Sequence, residues 1–353
     1  MDEKRPRLPA LTGLRFFAAL WVVMLHYAGS RPGALPSFPL LSRGWLGVNM
    51  FFVLSGFILA YTGLNGATLR RTHRAFWWAR FSRIYPAYLL ALAVAFTPLV
   101  HEWRYLAHPW AVMLSTPLLL QSWMPFDTRY WNPPGWSLSV EALFYLGFPF
   151  LAPAVARLSR PRLLILIAPL WLIALTLPAL YSAAVASPIV LYVNPLLRLP
   201  EFLIGICAGC VFARDQRRLP RWAAPVSLGA LLGIVAVAAL APASVDDALT
   251  HGALDPLFAL LFYVLAWQAG PVARCFSLPA VVVLGEASYS LYLLHVPLWD
   301  CLTLAAAKPA IAPAGPAQSP VLMGAVVLAV AASLLCHQFV EIPARRALMQ
   351  RAS

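Results

Sequence analysis

The sequence predicts an all-α, polytopic membrane protein with about ten transmembrane helices, one short re-entrant or interfacial segment, and both termini in the cytoplasm. Three observations carry this reading. The 353 residues are 61% hydrophobic and only 11% charged, with a mean hydropathy of +0.75, a balance foreign to soluble domains. Apolar runs of about seventeen residues or more recur along the chain, long enough to cross a bilayer as helices. The basic residues, finally, gather on one side of the spans so defined.

The first span, 11–29, is interrupted by Arg15 and His26 and lacks a convincing small-residue cleavage site, so it is a helix of the protein rather than a signal peptide. Ionisable groups inside a membrane helix are costly and tend to face a cavity or a partner. Eleven residues at about 100° each return both side chains to one face, about 16 Å apart along the axis. Taken singly, Arg15 could be a snorkelling anchor and His26 an interfacial polar residue; together on one face they favour a lined cavity.

The remaining spans follow at about 45–63, 84–100, 137–156, 163–181, 195–213, 222–241, 253–269, 278–300 and 320–340. The stretch 110–123 is apolar but short and contains Pro117, which suits a re-entrant or interfacial piece. With the N-terminus inside, nineteen of the 26 Lys and Arg lie on inner segments and five (Arg31, Arg43, Arg104, Arg129, Lys308) on outer ones, Arg15 and Arg198 being within spans. Counting 110–123 as a full span would put Arg157, Arg160, Arg162 and the Arg214–Arg221 cluster outside, against the positive-inside rule. The net charge of +13 is thus accounted for by orientation in the membrane, and nucleic-acid binding is excluded. No stretch reads as a second, soluble domain: one membrane-embedded domain, with a core over 8–345, is expected for residues 1–353.

Chemistry-bearing residues cluster near span ends. Arg80 and Arg83, three apart before the third span, would share one face of its first turn, where free N–H groups and two guanidiniums can hold phosphate oxygens; contact with lipid head groups is the plainer account. Asn132-Pro-Pro-Gly-Trp136-Ser137-Leu-Ser-Val-Glu141 opens the fourth span. Ser137 reads as a helix cap with Glu141 in the first turn, and Trp136 as an interfacial aromatic. Glu141 should also lie at the depth of His26, where a carboxylate would orient the imidazole. Arg198 and Glu201 open the sixth span as an internal ion pair, structural or substrate-binding. The ninth span carries Glu286 to mid-membrane, with Tyr289 one turn on and His295 towards the outside.

Cys207-Ala-Gly-Cys210 overlaps Gly205-x-x-x-Gly209, so close helix packing explains it better than a redox or metal pair. No histidine has metal-ligand spacing with another, and no metal is expected. Neither a phosphate-binding glycine loop nor a Gly-x-Ser-x-Gly elbow is present.

The chain resembles the acyltransferase-3 family of integral-membrane acyltransferases, which includes O-antigen and exopolysaccharide O-acetyltransferases. Arg15 and His26 match its Arg-x10-His, Phe51–Ala60 its second helix, Arg80-Phe-Ser-Arg83 its Arg-x-x-Arg, and Trp136-Ser-Leu-Ser-Val-Glu141 its Trp-Ser-Leu-x-x-Glu. The stretch Ser288-Tyr-Ser-Leu-Tyr-Leu-Leu-His295 is also similar. The resemblance implies a multi-pass protein of the inner (cytoplasmic) membrane. It would take an acyl group, acetyl first of all, from cytoplasmic acyl-coenzyme A to a hydroxyl of an extracytoplasmic glycan or lipid-linked saccharide. Arg80, Arg83 and Arg15 would then serve the coenzyme and His26 the chemistry, as general base or first acyl acceptor, with Glu141 orienting it. Asn132, Trp136, Ser137, Arg198, Glu201, Glu286, Tyr289 and His295 would bind substrate or support the site. The chain stops soon after its tenth span, so transfer is completed by the membrane domain or by a separate extracytoplasmic transferase. Family members that modify small molecules such as macrolides keep a small-molecule acceptor open. A transporter of a glycan or lipid-linked intermediate would use similar intramembrane charges, although no internal repeat relates the two halves.

Overall fold

The structure, a computed structural model, describes residues 5–30, 38–126, 129–182, 188–215, 221–305 and 319–350. The basic residues Lys4, Arg31, Arg217, Arg218, Lys308 and Arg351 of the orientation argument lie outside these ranges. Ten helices occupy the ten expected spans: α1 (Pro9–Ser30), α2 (Leu46–Gly63), α3 (His73–Glu102), α4 (Trp136–Ala156), α5 (Arg160–Ser182), α6 (Pro195–Asp215), α7 (Ala223–Leu240), α8 (Asp255–Ala266), α9 (Ser288–Ala305) and α10 (Ser319–Cys336). Eight helical segments are long and apolar enough to cross a membrane, and two bent pairs raise the number to ten among the described residues. Outward faces of α5 and α10 present Ile165, Leu172, Leu180, Val327 and Leu335 to the surroundings, the apolar cladding that lipid requires. The only strands described are a two-residue hairpin, Leu64–Asn65 against Thr68–Leu69.

Helices α2 and α6 form the centre of the bundle. Their contact face is made of small residues: a Cβ added at Gly205 would collide with the Val53 carbonyl oxygen, and one at Gly56 with that of Phe202. Backbones can approach this closely only without side chains between them. Cys207 and Cys210 are buried free thiols on the same helix, in agreement with a packing role. Around this contact Phe144 stacks on Phe202 at 4.5 Å and Phe52 meets Phe144 edge-on at 5.4 Å, arrangements that favour the ring quadrupoles. Gly205→Leu is expected to prevent assembly of the bundle, read as aggregation in size-exclusion chromatography of detergent extracts; a monodisperse variant with wild-type thermal stability would refute this packing.

Two elements differ from the straight spans expected. Helix α3 begins at His73, capped by Thr72, whose hydroxyl accepts from the Ala75 N–H. Arg80 and Arg83 therefore stand two turns inside a longer helix, and no free N–H groups back them. The ninth span bends by 59° between Pro279–Glu286 and α9. Glu286 ends the short helix in an exposed position next to Gly285, which packs on the Thr12 carbonyl, and so stands level with the first turn of α1 rather than at the middle of the span as expected. The short stretch 110–123 does not cross: a helix over Pro109–Ser115 is followed by turns clamped to the head of α4. Gln121 donates to the Gly135 carbonyl (2.7 Å), Ser122 to that of Trp136 (2.8 Å), and Ser139 to that of Leu119 (2.6 Å).

Buried cations secure the other connections. Arg43 is 3% exposed; its guanidinium pairs with Asp246 at 2.7 Å and donates to the Ala238 and Ala241 carbonyls at 3.1 and 2.8 Å. It thus supplies donors to carbonyls that the C-terminus of α7 leaves without helical partners.

Candidate active site

Two cavities lie in series within the bundle. The larger, of about 530 Å³, is lined by Arg15 of α1, Arg80 and Arg83 of α3, Glu141 and Tyr145 of α4, and Arg345 beyond α10. The smaller, of about 300 Å³, is lined by His26, Trp45, Arg129, Trp136 and Tyr192. Val48 and Tyr292 belong to the walls of both. Arg15 and His26 therefore face inward from one helix, as their spacing requires, but into different chambers.

The arginine chamber is strongly cationic. Arg15 lies within electrostatic reach of Arg83, Glu341 and Glu141, and the buried Nε of Arg80 has no hydrogen-bond partner. Its one lining carboxylate, Glu141, accepts a 2.8 Å bond from the Tyr145 hydroxyl. Clustered guanidiniums with so few counter-charges repel one another in a low dielectric unless an anion joins them. The expected pairing of Glu141 with His26 is thus corrected. Glu141 sits on the first turns of α4, and the helix turns that side chain to the arginine side. Ser137 is no helix cap either: its hydroxyl donates to the Pro134 carbonyl at 3.1 Å, because a short 3-10 turn, Pro133–Gly135, already leads into α4. Tyr289 lines the same chamber and donates to the Ile84 carbonyl at 2.9 Å, joining α9 to α3.

In the histidine chamber the partner of His26 is His295, from α9, which is fully buried. His26 Nδ1 and His295 Nε2 are 3.0 Å apart, while His295 Nδ1 lies 3.2 Å from the Leu291 carbonyl. A carbonyl only accepts, so His295 Nδ1 carries hydrogen and its Nε2 offers a lone pair. His26 Nδ1 must then donate, so that in the neutral ring Nε2 is the basic nitrogen. Tyr27 fastens the arrangement by donating to the His295 carbonyl at 2.8 Å. Asn132 is nearby in the chain path: its Nδ2 donates to the Leu293 carbonyl at 3.2 Å, and its buried Oδ1 has no partner.

Behind the chamber wall lies the pair formed by Arg198 and Glu201, 2.8 Å apart and each 1% exposed. Arg198 also donates to the Tyr192 and Thr250 carbonyls at 2.8 and 2.6 Å, and its guanidinium rests over the Tyr192 ring at 4.7 Å. Tyr192 and Thr250 both line the histidine chamber. The pair therefore shapes the cavity without reaching into it.

Between the chambers stands Tyr292. Its hydroxyl donates to the Pro134 carbonyl at 3.1 Å, and its ring meets Phe51 edge-on at 6.0 Å. Sequence reasoning left out four participants. Tyr145 lies one turn past the Trp-Ser-Leu-x-x-Glu match, and Tyr292, in the same stretch as His295, reads equally as a core or interfacial aromatic. Glu341 and Arg345 follow the last span, where basic and acidic residues are expected of any tail. Among the described residues no group of His, Cys, Asp and Glu could hold a metal ion.

Comparison with known proteins agrees with this picture. Residues 8–337 match the acyltransferase-3 family, described as an acyltransferase domain. Acyltransferase MdmB of Streptomyces mycarofaciens is 30% identical over 331 residues, covering 84% of this chain and 80% of that protein. O-acetyltransferase OatA of Staphylococcus aureus is 24% identical over 314 residues, covering 82% of this chain but only 50% of that protein. No solved structure matches.

Proposed function

From the premise that this chain belongs to the acyltransferase-3 family of membrane acyltransferases, we infer that it carries an acyl group, acetyl first of all, from acyl-coenzyme A to a hydroxyl of a glycan across the bilayer. The arginine chamber opens to the cytoplasm in this reading and receives the donor; the histidine chamber opens to the opposite side of the inner membrane and receives the acceptor. The observation that carries the reading is the pair of chambers in series, one lined by arginines and the other by a histidine hydrogen-bonded to a second, fully buried histidine. The likeness to a relative named O-acetyltransferase favours acetyl and an oxygen acceptor.

The chemistry follows from the geometry. Guanidiniums of Arg80 and Arg83 grip the pyrophosphate by charge-assisted hydrogen bonds. The pantetheine arm runs past Arg15 to the partition at Tyr292, which turns aside to admit the thioester. In the histidine chamber the acceptor hydroxyl gives its proton to His26 Nε2 while its oxygen bonds to the thioester carbon. The C–S bond then breaks, and the coenzyme leaves as thiolate, taking that proton from the imidazolium. His295 holds the second proton of that imidazolium through its own lone pair, so His26 keeps one orientation throughout. Trp45, Trp136 and Tyr192 give the acceptor flat apolar faces of the kind on which sugar rings lie. No metal enters this scheme.

Donor binding provides the test. Arg83→Ala is expected to weaken acetyl-coenzyme A binding roughly ten- to hundredfold, the worth of one or two hydrogen bonds to a charged group, measured by calorimetry on purified protein. Unchanged affinity, or no binding by the wild type, would remove the coenzyme from the reading.

A further inference from the structure

The chain continues past the residues that match the family, and that continuation returns to the arginine chamber. After α10 a π-turn over His337–Glu341 carries the backbone on into a further helix, Ile342–Gln350. Such turns often mark functional positions. The Trp78 indole N–H donates to the Leu348 carbonyl at 2.9 Å, fastening this helix to α3 two residues before Arg80. Arg345 is thereby brought into the chamber wall.

The charge of Arg345 meets that of Glu341, which partly offsets it, and those of Arg83 and Arg71, which oppose it. Glu341, one turn earlier, accepts from the Ser290 hydroxyl and lies 3.0 Å from His337 Nδ1. Among the described residues Arg345 forms no ion pair or hydrogen bond, and it is exposed where Arg15, Arg80 and Arg83 are partly enclosed. The cations thus stand at two levels: Arg15, Arg80 and Arg83 partly enclosed, and Arg345 exposed at the mouth. The donor's anionic groups follow the same order. The pyrophosphate joins the pantetheine arm directly, and the 3′-phosphate lies beyond it, on the ribose.

We propose that Arg345 binds the 3′-phosphate of the donor nucleotide, the outermost of its phosphates, and so selects coenzyme A over its 3′-dephospho form. This rests on the donor reading given above. A phosphate of a lipid head group has the same chemistry and would suit an arginine at this height, so the test separates the two.

The measurement is KM for acetyl-coenzyme A and for acetyl-3′-dephospho-coenzyme A, in wild type, Arg345→Ala and Arg345→Gln, with full-length protein in nanodiscs. The variants are expected to raise KM about tenfold for the phosphorylated donor and to leave the dephospho donor within about twofold, as loss of one charge-assisted contact requires. Arg83→Ala, which touches a group common to both donors, is expected to raise both. An equal rise for both donors in the Arg345 variants, or none for either, overturns the assignment in favour of a lipid or structural role. Transfer from neither donor by the wild type overturns the donor reading, and this proposal with it.

Discussion

His26→Ala is expected to lower glycan acylation by about two to four orders of magnitude, the usual contribution of a positioned general base, while the protein still inserts and purifies as a folded monodisperse species. The loss follows from the tautomer imposed by Leu291 through His295: removing His26 takes away the imidazole whose Nε2 that tautomer makes the basic nitrogen. His295→Ala should cost less, about one to two orders of magnitude, because His26 stays in place but is free to adopt the other tautomer. A glutamine at position 295 can still accept from His26 Nδ1 and should recover part of the activity. These rates are read in membranes with radiolabelled acetyl-coenzyme A, at protein levels matched by immunoblot. Full activity of the His26→Ala protein would eliminate the base.

The second large effect is on stability. Arg198→Ala should destabilise the folded bundle by about 3–5 kcal/mol, the cost of leaving a buried ion without its partner, seen as a clear drop in Tm by differential scanning fluorimetry in detergent. The replacement strands the Glu201 carboxylate, 1% exposed, removes the Arg198 donor of the Tyr192 carbonyl, and leaves the Thr250 carbonyl with Asn49 Nδ2 at 3.0 Å. Asp255 adds to the penalty: it is fully buried, and neither of its oxygens has a hydrogen-bond partner. Glu201→Gln should cost much less, since Asp255 remains to balance the guanidinium. Arg198→Lys should fall between, for an ammonium cannot repeat the fork that reaches three oxygens at once. An Arg198→Ala protein as stable as the wild type would show that the cluster carries no stabilising charge balance.

What the sequence discloses about this molecule is what a single helix can encode. Hydropathy locates the ten spans, and helical periodicity turns Arg15 and His26 to the same side, because both properties are local. Arg198 and Glu201 pair for the same reason, being three residues apart on one helix. The partner of His26 is not local. His295 stands 269 positions away, and no spacing rule connects the two, so the expected depth of Glu141 points to that residue instead, which the structure turns to the arginine chamber. The bend before α9 escapes for a related reason: Gly285-Glu-Ala-Ser reads as continuous with an apolar helix, and only tertiary packing of the short helix against α1 exposes Glu286. Arg345 is hidden by its company, since a basic residue after the last span needs no explanation beyond orientation.

The phenol of Tyr292 has an electrical consequence. A pore wide enough for a nucleotide arm, if filled by one unbroken column of water, would let ions and protons run down their gradients and drain the energy stored across the membrane. Two chambers that share one aromatic ring as part of their walls would instead keep the bilayer's resistance. In the proposed transfer that wall opens only as far as a thioester needs.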